Sequence, residues 1–180
     1  MCLTALLYAL LAIFIRVEIA HGEVPQVSCD TTKGRFVIEV YEAWAPVGAL
    51  RFIELVDNSF FTDIAFFRCV EGFLTQFGVS GNDKFARWHE ANIEDDASIG
   101  LGIKKHFVSF AGGGPNTRST QLFIAFEDLD FLGNEPWETP IGKVVSGGEV
   151  LDKLYKGYGE LIYFNEHGAD PNKILELGNQ

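Results

Sequence analysis

From Phe66 to Gly78 the chain reads Phe-Phe-Arg-Cys-Val-Glu-Gly-Phe-Leu-Thr-Gln-Phe-Gly, two short apolar runs around a Glu-Gly turn. β-Branched and aromatic residues flank a glycine that tolerates positive φ, so the stretch predicts a hairpin. That hairpin constrains more than local structure. With Arg68 on the first strand and Phe73 and Gln76 on or beside the second, it folds a cation, an aromatic ring and an amide towards one patch of surface. Such a trio suits a ligand that is apolar on one side and carries a carbonyl on the other.

The same punctuation recurs along the chain. Gln26 to Asp30 and Arg35 to Tyr41 read as a hairpin across Thr31-Thr32-Lys33-Gly34, with His106 to Ala111, Thr120 to Phe126 and Ile141 to Val145 as further strands. Pro46 is tolerated in a first helical turn, and Val47, Leu50, Ile53 and Val56 then recur at helical spacing, with Leu55 also apolar, up to about Asp57. Glu149 to Lys156 is a short helix turning Val150, Leu151 and Leu154 inward. Gly78 to Gly102 has no sustained period and reads as a long excursion pinned by Phe85, Trp88, Ile93 and Ile99. Its Glu94-Asp95-Asp96 lacks the spacing of an oxygen-ligand loop and reads as a solvated turn. Phe131 to Pro140 is loop, and Lys173 to Leu177 a candidate closing strand. Sixteen Phe and nineteen Gly in 180 residues favour strands and tight turns, and the length suits one domain, 23–180. Many short strands with one helix early and one late allow a mainly β fold, a barrel capped by two helices.

The net charge of −11 argues against nucleic acid, which needs clustered Lys and Arg, and fits a soluble surface. Leu3 to Ile15 is an uncharged apolar run, shorter than the about 20 residues of a membrane span but suited to the core of a secretory signal. Ala20 and Gly22 place small residues at −3 and −1 for cleavage before Glu23. Residues 1–22 are therefore expected to send the chain into the secretory pathway, to the ER lumen or outside the cell, with a membrane anchor through residues 3–15 if the segment is retained. In that oxidising setting Cys29 and Cys69 either pair or stay as separate buried thiols.

Other chemistries fit poorly. Gly112-Gly113-Gly114 is followed by a strand and no Gly-Lys-Ser/Thr, so it is no phosphate loop. His89, His106 and His167 lack zinc spacing, and Gly78-Val79-Ser80-Gly81 lacks a nucleophile elbow.

The hairpin resembles the Phe-His-Arg-…-Gly-Phe-…-Gln-Gly-Gly hairpin of the cyclophilins, peptidyl-prolyl cis-trans isomerases. A second block, Phe107-Val-Ser-Phe-Ala-Gly-Gly-Gly-Pro-Asn-Thr-Arg-Ser-Thr-Gln-Leu-Phe-Ile124, resembles that family's Ser-Met-Ala-…-Gly-Pro-Asn-Thr-…-Ser-Gln-Phe-Phe-Ile segment, in the same order and at roughly the same spacing. The resemblance covers about Val27 to Lys156 and implies a closed antiparallel barrel and isomerisation of Xaa-Pro bonds without a cofactor or metal. Proline-containing peptides or unfolded chains would be the partners. It also implies Arg68 as the catalytic arginine and Gln76 as the amide that orients substrate backbone. Phe73, Leu74, Leu122 and Phe123 would wall a proline pocket, Ala111 and Gly112 would offer backbone to an extended peptide, and Phe131, or else Trp137, would stand for the family's rim tryptophan. Glu138 falls at the place of a rim histidine.

Departures from the pattern are specific. Phe67 replaces the His before the arginine, Phe77 puts a ring where Gln-Gly-Gly has glycine, and Gly112-Gly113-Gly114 replaces Asn-Ala-Gly. They imply a reduced or lost turnover, leaving a proline-peptide binding module as the alternative, and weak cyclosporin binding if Phe131 stands for tryptophan. The tail, Gly157-Tyr-Gly-Glu160 and Glu176-Leu-Gly-Asn179, resembles a divergent branch whose members continue with another strand. The barrel then closes either beyond this chain or through Lys173 to Leu177.

Overall fold

A computed structural model describes residues 17–18, 24–161, 166 and 168–177. The apolar run Leu3 to Ile15, the cleavage residues Ala20 to Gly22, His167 and the last tail residues lie outside these. Short strands form one antiparallel sheet: β1 (Val17–Glu18), β2 (Gln26–Thr31), β3 (Gly34–Val40), β4 (Arg68–Val70), β5 (Leu74–Phe77), β6 (Phe107–Phe110), β7 (Leu122–Ala125) and β8 (Gly142–Ser146). Their order is β1-β2-β3-β8-β6-β7-β5-β4. β1 pairs Val17 with Val27 and Glu18 with Gln26, so the sheet begins inside the segment read as a signal.

The expected closed barrel is not what the described residues form. They make an open, curled sheet in which no ladder joins β4 to β2. The edge of β4 meets a single bridge, Cys69 to Gly159. The segment expected to close it, Lys173 to Leu177, belongs instead to a helix, α4 (Pro171–Leu177). Pro171 opens that helix with no N–H to satisfy, the Asp170 carboxylate accepts from the Asn172 N–H at 3.0 Å, and Lys173, Leu175, Glu176 and Leu177 are strong helix formers.

Because strand side chains alternate, the paired register sorts the sheet into two faces. Phe36, Ile38, Val40, Cys69, Phe77, Val108, Phe110, Leu122, Ile124 and Val144 line one face as the main core. Helix α1 (Pro46–Asp57) and the short α3 (Gly148–Leu151) cover it, and Val150, Leu151 and Leu154 are buried there as expected. α3 is a single turn and ends well before Lys156.

The rotation of α1 differs from the periodicity reading. Val56 is buried and Ile53 packs against the core as expected, but Gly48, Ala49, Phe52 and Leu55 also face inward, while Leu50 is 63% exposed. The reason lies at the N-terminus of the helix. Ala45 supplies no capping side chain, and the Asp96 carboxylate accepts instead from the N–H groups of Val47 (2.8 Å) and Gly48 (2.9 Å). A Cβ on Gly48 would stand 2.8 Å from Ile141 Cγ2, so only glycine lets the helix dock at this angle.

Asp96 is thus buried rather than part of a solvated turn, and Arg118 shares its site. The Arg118 side chain is fully buried, donating from Nη1 to Asp96 (2.9 Å), from Nε to Asp95 (3.2 Å) and from Nη2 to the Glu94 carbonyl. The long excursion is pinned as expected by Phe85 and Trp88 against Leu55 and Phe60, though Ile99 is exposed. It contains a 3₁₀ turn, Asp83–Phe85, leading into α2 (Ala86–Glu90). Cys29 and Cys69 are both free thiols, and burial pushes the Cys29 thiol up to about 12. Asp96→Ala removes one partner of a buried ion pair and two helix acceptors; urea unfolding should show a loss of about 3–5 kcal/mol, against a much smaller loss for the exposed Asp128→Ala.

Candidate active site

The β4–β5 hairpin turns through Glu71-Gly72-Phe73, with Gly72 at φ 69° and the Phe73 N–H donating to the Val70 carbonyl at 3.1 Å. The left-handed φ is the reason for the glycine. Pairing sets Arg68 opposite Gln76, Gln76 opposite Phe123 and Phe123 opposite Ser109. These four make a row across the sheet on the face away from the main core.

At one end of the row the Arg68 side chain is 13% exposed. Its Nη1 donates to Gln76 Oε1 at 3.3 Å, its Nε donates to Glu160 Oε1, and its Cζ lies 5.3 Å from the centre of the Phe73 ring. Gln76 is almost fully buried, and its Nε2 donates to Gln121 Oε1 at 2.8 Å. Donation from Arg68 holds the Glu160 carboxyl below the usual carboxylate range, against a smaller opposing effect of burial. The site is therefore a charge pair fixed from several sides.

Beside it lies a second apolar cluster of Leu74, Ile103, Phe123, Ala125 and Leu129, against which Phe73, Ala111 and Leu132 pack while keeping part of their surface exposed. Phe131 is 68% exposed and stacks on Phe73 with ring centres 5.9 Å apart. At the far end of the row the Ser109 hydroxyl donates to the carbonyls of Glu138 (2.9 Å) and Thr139 (3.1 Å), anchoring the loop that carries Trp137. Gly112 sits against that loop, where an added Cβ would be 3.2 Å from Trp137 Cβ and 3.3 Å from Arg118 Cγ.

The structure brings Arg68, Gln76, Phe73, Leu74, Phe123 and Phe131 together, with Ala111 and Gly112 at the border of the same cluster. It does not bring Leu122 there. Leu122 is fully buried in the main core, paired with Phe77 and Phe110, because one step along β7 from Phe123 is a change of face. For the same reason Phe77 does not crowd the site: its ring packs on Phe61 (5.7 Å) and Phe66 (5.1 Å) on the other side of the sheet. Glu138 does not act as a rim residue either, since its carboxylate accepts from the N–H groups of Gly133 (2.8 Å) and Glu135 (3.4 Å). Glu160, Gln121 and Leu132 were not among the expected residues. Gln121 and Leu132 adjoin expected residues in sequence, but nothing local in Gly157-Tyr158-Gly159-Glu160 signals a partner so far along the chain.

The chain matches the family described as cyclophilin type peptidyl-prolyl cis-trans isomerase/CLD over residues 26–178. It belongs to that family. Among its cyclophilin relatives, a peptidyl-prolyl cis-trans isomerase of Acinetobacter baylyi is 30% identical over 132 residues, covering 71% of this chain and 70% of that protein. The peptidyl-prolyl cis-trans isomerase-like 1 of Emericella nidulans is 28% identical over 163 residues, covering 86% and 97%. In fold, the chain is similar to a cyclophilin type peptidyl-prolyl cis-trans isomerase of Cryptosporidium parvum, with a TM-score of 0.63 at 20% identity over 80% of this chain and 89% of that one. The same parasite protein solved in the presence of the dipeptide Ala-Pro matches equally well.

The two faces of β7 make separable demands. Leu122→Ala should cost about 2–5 kcal/mol of stability in urea unfolding with peptide affinity unchanged in the folded fraction. Phe123→Ala should weaken binding of a proline-containing peptide, measured by heteronuclear NMR titration.

Proposed function

We propose that this cyclophilin accelerates rotation about Xaa-Pro bonds with Arg68 as its catalytic residue. The observation that carries the reading is a guanidinium of fixed orientation, packed on Phe73 and bordering the partly exposed apolar cluster around Phe123. A peptide bond resists rotation with a barrier of about 18–20 kcal/mol, because resonance makes C–N partly double. Twisting breaks the resonance and leaves a pyramidal nitrogen with a lone pair. A guanidinium donating to that nitrogen or to the neighbouring carbonyl stabilises the twisted state more than the planar one, which is what catalysis requires. Phe73, Leu74 and Phe123 take the proline ring, with Phe131 as its outer edge. Ala111 and Gly112 lie along the extended peptide, and Gln76 holds Arg68 from beneath. The reaction calls for no nucleophile, proton transfer or cofactor.

The substrates are proline-containing segments of folding or exposed chains, whose uncatalysed isomerisation takes tens to hundreds of seconds. The apolar run at residues 3–15 and the small residues before Glu23 support a place in the secretory pathway. The exposed Phe131 at the rim in place of a larger indole supports weak binding of cyclosporin.

In a protease-coupled assay on an Xaa-Pro peptide, Arg68→Ala should lower kcat/KM about a hundredfold or more. Equal background rates in wild type and variant, with retained peptide binding, would instead make the protein a binding module. Mass spectrometry of the chain recovered from a secreting cell should find Glu23 at its N-terminus; a retained Met1 would point to an anchor.

A further inference from the structure

Glu160 lies 92 positions beyond Arg68 in the chain, yet its carboxylate accepts the Nε–H of that arginine. The contact is built from both sides. Gly159 bridges to Cys69, the residue after Arg68, and the Glu160 carbonyl accepts from the Ala169 N–H at 2.8 Å. The carboxylate also accepts from the Leu161 N–H at 2.9 Å, which leaves it little rotational freedom.

The choice of nitrogen matters. An arginine carries five N–H groups in a planar fork, and a carboxylate commonly takes two of them at once, as Asp30 takes Nε and Nη2 of Arg35 at 2.7 and 2.9 Å. Here Glu160 takes Nε, the nitrogen closest to the backbone, and Gln76 takes one hydrogen of Nη1. Among the described residues Nη2 has no acceptor, so the outer edge of the guanidinium stays available while its plane is fixed. A free arginine side chain has about 2 kcal/mol of rotamer entropy to lose on being held.

We propose that Glu160 is a positioning residue for the isomerase reaction, fixing the plane of Arg68 from the Nε side so that its outer N–H groups face the peptide. This rests on the isomerase reading above. The C-terminal segment is then part of the active site and not merely a covering of the sheet edge. Arg68 is the charged group in contact with this carboxylate; the nearby Lys156 pairs with Glu71 at 3.3 Å, and Asp170, beyond Ala169, caps α4.

The test follows the arginine and the rate separately. In 15N NMR of the free protein, the Arg68 Nε–H should give a protected, downfield resonance in wild type that weakens and moves upfield in Glu160→Gln, whose amide oxygen accepts without charge, and disappears in Glu160→Ala. Exchange NMR on an Ala-Pro peptide measures turnover at any pH. Glu160→Ala should lower kcat about tenfold or more with KM little changed, and Glu160→Asp should restore part of the loss. Donation from Arg68 holds the carboxyl below its ordinary value, so wild-type kcat should fall only once the pH is below the ordinary carboxylate range, and Glu160→Gln should lack that acid limb. Wild-type kcat and an unchanged acid limb in Glu160→Gln and Glu160→Ala, with melting temperatures near wild type, would overturn the proposal. A wild type that shows the Nε–H resonance but no turnover would overturn the isomerase reading, and the positioning role with it.

Discussion

One buried cation ties the Gly-rich loop and the long excursion to the N-terminus of α1. Arg118 reaches from the end of the Gly-rich loop to Asp95, Asp96 and the Glu94 carbonyl, and Asp96 in turn closes the N-terminus of α1. Removing a guanidinium and a carboxylate from water costs several kcal/mol per ion unless geometry and further hydrogen bonds compensate. Here each carboxylate oxygen of Asp95 and Asp96 has a donor, and two of the donors are backbone amides that a helix would otherwise leave unpaired. The consequence reaches the site, because Arg118 Cγ and Trp137 together bound the space at Gly112. Asp95 and Asn116 lock the same loop reciprocally, at 3.0 and 2.7 Å. The border at Gly112 and Trp137 therefore takes its shape from a charge network behind it.

The sheet acts as a wall with unlike sides. Its inner side is filled by phenylalanine, isoleucine, leucine and valine against α1, while the outer side carries the row from Arg68 to Ser109. Neighbours in sequence consequently have unrelated work: Gln76 and Phe77, or Leu122 and Phe123, are separated by the thickness of the sheet. This is why the bulky Phe77 stays off the outer side, and why Leu122 packs in the main core and not beside Phe123.

Local pattern made strands β2 to β8, the first helix and the Arg68 hairpin legible, since each rests on alternation, on Pro46 or on Gly72, whereas β1 fell inside the segment read as a signal. Pattern failed where the deciding partner was distant. The rotation of α1 follows from Asp96 and from Gly48 against Ile141, neither visible in the helix's own periodicity. The change of face along β7 was readable in principle from the period of two, but family likeness alone assigns Leu122 and Phe123 together. Lys173 to Leu177 has apolar residues at spacings that suit either state, and Pro171 with Asp170 decides for helix. The ion pair of Arg68 with Glu160 has no local signature at all.

On the proposed reading, in which Arg68 is catalytic, a carboxylate beside it looks self-defeating, because the anion reduces the field that the twisted amide would feel. The location of Arg68 resolves this. Its side chain is mostly buried and packed on Phe73, where an unpaired guanidinium would turn outward to solvent and carry its charge away from Phe73 and Gln76. The carboxylate makes burial tolerable and bonds at Nε, so what is lost in net charge is recovered in direction. Donors already aimed need no reorganisation when the amide twists, and a hydrogen bond in a poorly solvated site discriminates planar from twisted substrate better than a mobile charge in water. A neutral pair with oriented N–H groups is thus the form in which an arginine serves best on the outer side of this wall.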